Sequence, residues 1–225
     1  MEIRNIGLIT YNHPHLKTEQ VILRILKLGF NYKIYALPYV PRKSRNELIK
    51  HRPEQSSSVH PELIAKKYKI PYIQCNTDKE IDDSCDLYLI LGAGILSPEC
   101  VRNKRIINCH PGIIPAVRGL DAFKWAIYEM KPLGVTLHYI DEKIDAGEII
   151  SVISTDVYIT DTLEILARRH YENEINVLSD FIYYLNNPRN DFKSIAEGEP
   201  RRRMPIDIEK ELMSIFDKYK ERYGV

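Results

Sequence analysis

The chain has 225 residues, 44% of them hydrophobic, and 32 Lys and Arg stand against 31 Asp and Glu for a net charge of +1. That is enough apolar chain for one sizeable α/β core with an appendage but not for two large domains, and the balanced charge excludes a general attraction to nucleic acid or anionic lipid. The cysteines Cys75, Cys85, Cys100 and Cys109 have no CxxC or zinc spacing and read as reduced thiols of a cytoplasmic protein, with no secretory signal at the start and no apolar run of the ~18 residues a membrane span needs.

Ile3 to Thr10 reads as a first strand and Leu16 to Leu28 as a helix with Val21, Ile22, Ile25 and Leu26 on one face, ended by Gly29. Lys33 to Val40 is a second strand, so the chain opens with a βαβ unit of a parallel sheet. The loop Tyr11-Asn12-His13-Pro14-His15 lies at the carboxyl end of a strand and beside a helix start, where such folds place ligands. It lacks GxGxxG or Walker glycines, and reads either as a substrate loop contacting through Asn12 and His13 or as a plain surface turn. Arg42 to Arg52 is a charged helix or loop and Pro53 to Ser58 a polar breaker. His60 to Lys69 is a helix and Pro71 to Cys75 a short strand, with His51 and His60 read as solvated surface histidines. Asp86 to Leu91 has the continuous apolar character of a central parallel strand, followed by the glycine turn Gly92-Ala93-Gly94 and a helix start capped by Ser97.

The chemistry lies between Asn108 and Ile150. Asn108 and His110 are two apart at the end of the run Arg105-Ile106-Ile107, so a strand sends both side chains to one face, and Pro111 stops the ladder just beyond. Cys109 points the other way and reads as a packed thiol. An amide can hold a developing oxyanion and an imidazole can move a proton near neutral pH, while Asp145, on a turn ending at Gly147, supplies a carboxylate to tune the histidine or relay a proton. Together they suit acyl transfer to an amine. Arg118, next to Gly119, either meets a phosphate or braces its loop.

Asp121 to Tyr128 reads as a helix, and the strands Gly134 to Ile140 and Glu148 to Val157 flank the Asp145 turn. His138 either supports the site or is a satisfied core histidine; Asp141, Asp145 and Glu148 fit no metal-binding spacing, so no metal is expected. Asp161-Thr162-Leu163-Glu164 opens a helix whose stripe Tyr171, Ile175, Leu178, Ile182 and Leu185 is core, ended by Asn186-Asn187-Pro188. A polar connection from Asp191 to Arg203 carries the basic cluster Arg201-Arg202-Arg203, read as a solvated turn. A last amphipathic helix, Ile208 to Tyr223, either packs on the body or meets a second copy in a homodimer. This divides the chain into a domain over residues 1–185 and a C-terminal connection and helix over 186–225.

The motifs Asn108-Cys109-His110-Pro111-Gly112, Arg118-Gly119, Gly134-Val135-Thr136-Leu137-His138 and Asp145-Ala146-Gly147-Glu148-Ile149-Ile150, in this order, resemble the 10-formyltetrahydrofolate-dependent formyltransferases, most strongly over residues 86–156. The resemblance implies a Rossmann-like, mostly parallel sheet flanked by helices, with Asn108, His110 and Asp145 catalytic, 10-formyltetrahydrofolate as co-substrate and no metal. It implies a folate pocket formed by Gly94, Ile95 and Leu96 with Ile140 and Asp141. Purine-pathway members have a glycine- and serine-rich first loop for a ribose phosphate, whereas here Asn12, His13 and His15 stand in it. Methionyl-tRNA members carry a large C-terminal domain for which 225 residues leave no room. The likeness is thus greatest to the nucleotide-sugar N-formyltransferases. It implies a substrate such as dTDP-4-amino-4,6-dideoxyglucose contacted by Asn12, His13, Arg118 and Gly119, and a role in lipopolysaccharide O-antigen biosynthesis. Glycinamide ribonucleotide formyltransferase, a 10-formyltetrahydrofolate hydrolase and a non-catalytic binding module are the alternatives.

Overall fold

The structure is a computed structural model that describes residues 2–41, 47–141, 147–192 and 197–225. The chain divides into two compact units, one of Met1–Arg42, Glu54–Asn108 and Tyr139–Lys143, the other of Lys43–Pro53, Cys109–His138 and Ile144–Val225.

In the first unit, β1 (Asn5–Tyr11) buries Ile6, Leu8 and Ile9 completely, each side chain contributing about 1.5–3 kcal/mol. Gly7 is required between them, because a Cβ there would lie 2.3 Å from the Tyr88 ring. Helix α1 (Leu16–Ile25) is shorter than its apolar pattern; Leu26–Leu28 tighten into a 3-10 turn and Gly29, at φ 76°, closes it. Gln55 satisfies two donors at the start of α1, its carbonyl accepting from Leu16 N at 2.8 Å and its side chain from Lys17 N at 3.1 Å. The polar breaker is therefore tied to a helix end. Then follow β2 (Asn31–Leu37), α2 (Pro61–Tyr68), β3 (Tyr72–Gln74), β4 (Leu87–Ile90), α3 (Pro98–Val101) and β5 (Ile106–His110), whose last two residues are counted in the second unit. His60 stands just outside α2 and caps it, Nδ1 accepting from Glu62 N at 3.3 Å, so it is not simply a solvated histidine.

The second unit holds β6 (Arg118–Gly119), α4 (Ala122–Tyr128), β7 (Gly134–Tyr139), β8 (Ile149–Ser154), α5 (Leu163–Ser179), α6 (Phe181–Asn186), β9 (Pro200–Arg201) and α7 (Ile206–Tyr223). The single helix expected after Asp161 is two, broken at Asp180, where φ is −94° and ψ 23°. The seven longer strands follow the order β3-β2-β1-β4-β5-β7-β8, the pairs from β3 to β5 parallel and the pair β7 and β8 antiparallel, which is the mostly parallel sheet the sequence predicts. Among the described residues no helix is long and apolar enough to cross a membrane.

Of the two fates open to the last helix, the structure shows packing on its own chain: Leu212, Phe216 and Tyr219 of α7 share a core with Phe123, Trp125 and Ile127 of α4 and Leu166 of α5. The Arg201–Arg203 cluster is engaged as well, Arg201 lying 4.9 Å over the Trp125 ring and paired with Glu129.

A charged pair is sealed between α4 and α7. Lys124 Nζ meets Glu209 Oε1 with both side chains fully buried, and Glu209 also accepts from the backbone N–H of Leu48 at 3.3 Å and Ile49 at 3.2 Å. Burial alone would raise the Glu209 pKa, but the hydrogen bond and charge of Lys124 and the two amides hold it below the ordinary carboxylate value. Its stabilising effect is present at neutral pH and is lost as pH falls through the acid range. Glu209→Leu, which leaves a buried ammonium without its partner, is expected to cost about 3–5 kcal/mol in denaturant unfolding. Lys124→Met should cost less, since the carboxylate keeps two backbone donors; equal losses in the two variants would refute this ordering.

Candidate active site

β5 carries both Asn108 and His110, with Ile106 and Ile107 fully buried before them and Cys109 buried between them. Asn108 is the last residue of the first unit and is half-buried; His110 belongs to the second unit and is 4% exposed. Asp145 falls within 142–146, outside the described residues.

The surroundings of His110 fix its proton. Its Nε2 lies 2.9 Å from the Val117 carbonyl, and a carbonyl can only accept, so Nε2 carries the hydrogen and Nδ1 is the basic nitrogen of the neutral ring. Gly112 makes this approach possible, because a Cβ there would sit 2.6 Å from Val117 O and 2.8 Å from His110 Nε2. The turn after β5 has no helix or strand to take up its carbonyls, yet six of the seven over 111–117 meet a donor. His170 Nε2 reaches Pro111 O at 3.2 Å, Thr136 Oγ1 donates to Gly112 O at 2.7 Å, and Val117 N donates to Ile113 O at 2.8 Å. Gly198 N donates to Pro115 O at 2.9 Å and Lys131 Nζ to Ala116 O at 2.8 Å. Thr136 Oγ1 also accepts from Ile114 N at 3.0 Å, which makes the threonine of the Gly-Val-Thr motif a bridge across the turn.

Arg118 Nε and Nη2 donate to Gly198 O at 3.2 and 3.0 Å, and Glu197 lies at 3.2 Å, contacts that tie it to the 197–198 backbone. Gly119, at φ +87°, has no room for a Cβ, which would fall 2.2 Å from Arg201 O. His138 is fully buried.

In the first unit, Leu96 and Ile140 pack on one apolar cluster with Ile106, while Gly94 has open space where a Cβ would be and Ile95 is 83% exposed. Asp141 is exposed. Asn12 and His13 line a cleft of about 330 Å³ with Tyr39, Gln74, Cys75 and Asn76, at the carboxyl ends of β1, β2 and β3. The His13 ring stacks on Tyr39 at 4.2 Å, and Tyr72 OH donates to Asn12 Oδ1 at 2.7 Å. Tyr39, Gln74 and Asn76 escaped sequence reasoning because nothing in their spacing marks them; three strand ends bring them together. Among the described residues no group of three or more His, Cys, Asp or Glu is placed to hold a metal.

In the second unit His51 differs from its expectation as a solvated histidine, and His170 is one that the sequence reading does not single out. His51 is turned inward, its ring parallel to Phe123 at 6.1 Å, its Nδ1 buried and without a hydrogen-bond partner. Burial first, then the charges of Arg52 and Lys124, push its pKa well below the usual value. His170 is buried too, and desolvation lowers its pKa to about 4. It interrupts the apolar face of α5, in helical register with Leu163, Leu166 and Glu174, and that misplaced polar residue is the sequence signal for it. Both histidines fold neutral, so the fold loses stability as pH falls below 6.5, the ordinary histidine value, by about 1.4 kcal/mol per unit for each until its folded pKa is reached. Chemical unfolding between pH 7 and 4 should show this slope, and His51→Phe should reduce it.

Residues 84–182 match a family model described as Formyl transferase. Over 71 residues the chain is 39% identical to the phosphoribosylglycinamide formyltransferase of Bacillus subtilis strain 168, a match covering 31% of this chain and 36% of the relative. The chain spans about a third of the length of the first curated relatives it matches. In structure it is similar to a 4-N formyltransferase from Francisella tularensis, with a TM-score of 0.59 at 19% identity over 88% of this chain and 76% of that one. It is also similar to the formyltransferase PseJ from Anoxybacillus kamchatkensis, solved with UDP-4,6-dideoxy-4-formamido-L-AltNAc and tetrahydrofolate. Here the TM-score is 0.52 at 19% identity over 98% and 97% of the two chains. At that identity the structural likeness establishes the fold.

Proposed function

From the match of residues 84–182 to the formyl transferase family model, we propose that this chain transfers a formyl group from 10-formyltetrahydrofolate to the amine of a nucleotide-linked aminosugar. The observation that carries the chemistry is a strand ending in Asn108-Cys109-His110, with the His110 proton fixed on Nε2 by a backbone carbonyl. The residues of the folate reading fit a flat, partly apolar group: Ile95 is 83% exposed, Gly94 offers open space, and Leu96 and Ile140 rest on one apolar cluster. When bound, the folate supplies the formyl carbon.

The neutral amine forms the new C–N bond as the bond from carbon to N10 breaks, and the proton lost by the amine ends on N10. The Asn108 amide donates to the formyl oxygen as negative charge develops there. His110, protonated for the step, donates from Nδ1, because Nε2 is engaged by Val117 O. Asp145 supports the imidazolium and relays the amine proton.

Two features support an aminosugar nucleotide as the acceptor, of which dTDP-4-amino-4,6-dideoxyglucose is the named example. The first loop has Asn12 and His13 where a glycine- and serine-rich phosphate cradle would stand. Its cleft joins the stacked faces of His13 and Tyr39 to the amides of Asn12, Gln74 and Asn76, which suits a neutral heterocyclic base.

Optical assay of 10-formyltetrahydrofolate consumption with aminosugar nucleotides, glycinamide ribonucleotide and no acceptor tests the reading. Turnover is expected only with an aminosugar nucleotide; turnover with glycinamide ribonucleotide alone, or without any acceptor, would replace the proposal with a purine enzyme or a hydrolase. Asn108→Ala should lower turnover roughly 10²–10³-fold, and near-normal rates would remove it from the mechanism. Tyr39→Ala is expected to weaken the aminosugar nucleotide by about 1–3 kcal/mol, read as KM, with the KM for folate unchanged.

A further inference from the structure

α5 reaches the turn beyond His110 through a chain of hydrogen bonds whose directions are all determined. Asn173 Nδ2 donates to Ser154 O at 3.0 Å and to Thr155 Oγ1 at 2.9 Å. Thr155 Oγ1 lies 2.9 Å from His170 Nδ1, and His170 Nε2 lies 3.2 Å from Pro111 O. The carbonyl at the far end must accept, so His170 Nε2 carries the hydrogen; Nδ1 is then an acceptor, and the threonine hydroxyl donates to it. No member of the chain has its polarity left to choice. The Phe123 ring, 5.6 Å from the His170 ring, confines it from the side.

We infer that His170 is a positioning residue for His110: by holding the carbonyl of the next residue, Pro111, it fixes where the His110 ring stands and keeps its Nε2 on Val117 O. Two histidines thus grip one turn at its two ends, His170 at Pro111 O and His110 at Val117 O. Desolvation, which lowers the His170 pKa to about 4, keeps this ring neutral near pH 7, so its grip does not change while His110 gains and loses a proton. A leucine at position 170 would fill the space and keep the apolar face of α5 but would leave Pro111 O and Thr155 Oγ1 without their partner. This role rests on the formyl-transfer reading for its effect on rate, but not for its effect on His110.

The test uses the full chain with His170→Leu, His170→Gln and Thr155→Val, and three readouts. These are the imidazole ¹⁵N shifts of His110, assigned by their loss in His110→Gln, then kcat and KM, and thermal unfolding. His170→Leu is expected to move the His110 shifts away from the Nε2–H pattern and to lower kcat roughly 10- to 100-fold, with KM values near those of wild type. His170→Gln, whose side-chain amide can still donate to Pro111 O, should restore most of both. Thr155→Val, which leaves the histidine in place, should move the His110 shifts in the same direction. His110 shifts that stay at wild-type values in His170→Leu and Thr155→Val, whatever happens to stability, would overturn the proposal and leave His170 as packing. The shifts need no turnover, so a wild-type chain that transfers no formyl group would overturn the functional reading while the NMR result still decided this one.

Discussion

A turn of seven residues, 111–117, has to hold a histidine still without the help of helix or strand hydrogen bonds. Backbone carbonyls buried without partners cost about 1–3 kcal/mol each, so such a turn persists only if other elements bring donors to it. Here they come from five places: α5 through His170, β7 through Thr136, the segment between α4 and β7 through Lys131, the 198 region through its backbone, and His110 itself. The second unit is arranged around this need, and the helix that closes the chain is drawn in by the same core that carries α4 and α5.

The same unit holds charge withdrawn from water. Lys124 with Glu209, and Arg52 with Glu174, join the segment 47–52 to α4, α5 and α7. Ion pairs withdrawn from water seldom add net stability over apolar packing, but they penalise every arrangement that separates the partners. Their effect is specific: the described residues 47–52 form no helix or strand, and two carboxylates from distant helices give their backbone and Arg52 one place to go. His51 is carried inward with it onto Phe123.

That dependence explains what the sequence shows and what it hides. The βαβ opening, the parallel sheet and the Asn108/His110 pair follow from local rules, since apolar runs, a spacing of two and a following proline act within one strand. Gly29 and Gly112 behave as glycines should, one by its positive φ and one by close approach. His51, in contrast, sits in a charged stretch that reads as surface, and only partners more than a hundred residues away, Glu174 and Glu209, pull that stretch inward. The break at Asp180 is also hidden, because the apolar stripe continues at helical spacing through it.

Three histidines of the second unit illustrate how a fold assigns different roles to one side chain. His51 is half-buried with a buried, unpartnered Nδ1, His170 is buried with both nitrogens in use, and His110 is buried with its Nε2 engaged by a carbonyl. Burial lowers the pKa of His51 and His170, and of the three only His110 lies on the strand that carries the amide of Asn108. A ring so held can gain and lose a proton at Nδ1 without rotating, since the bond to Val117 O is satisfied in both protonation states. Proton transfer then requires no reorganisation of the turn, which is the condition under which a buried histidine is useful to acyl transfer. The number of histidines in the sequence says little about this; the carbonyl opposite each nitrogen decides it.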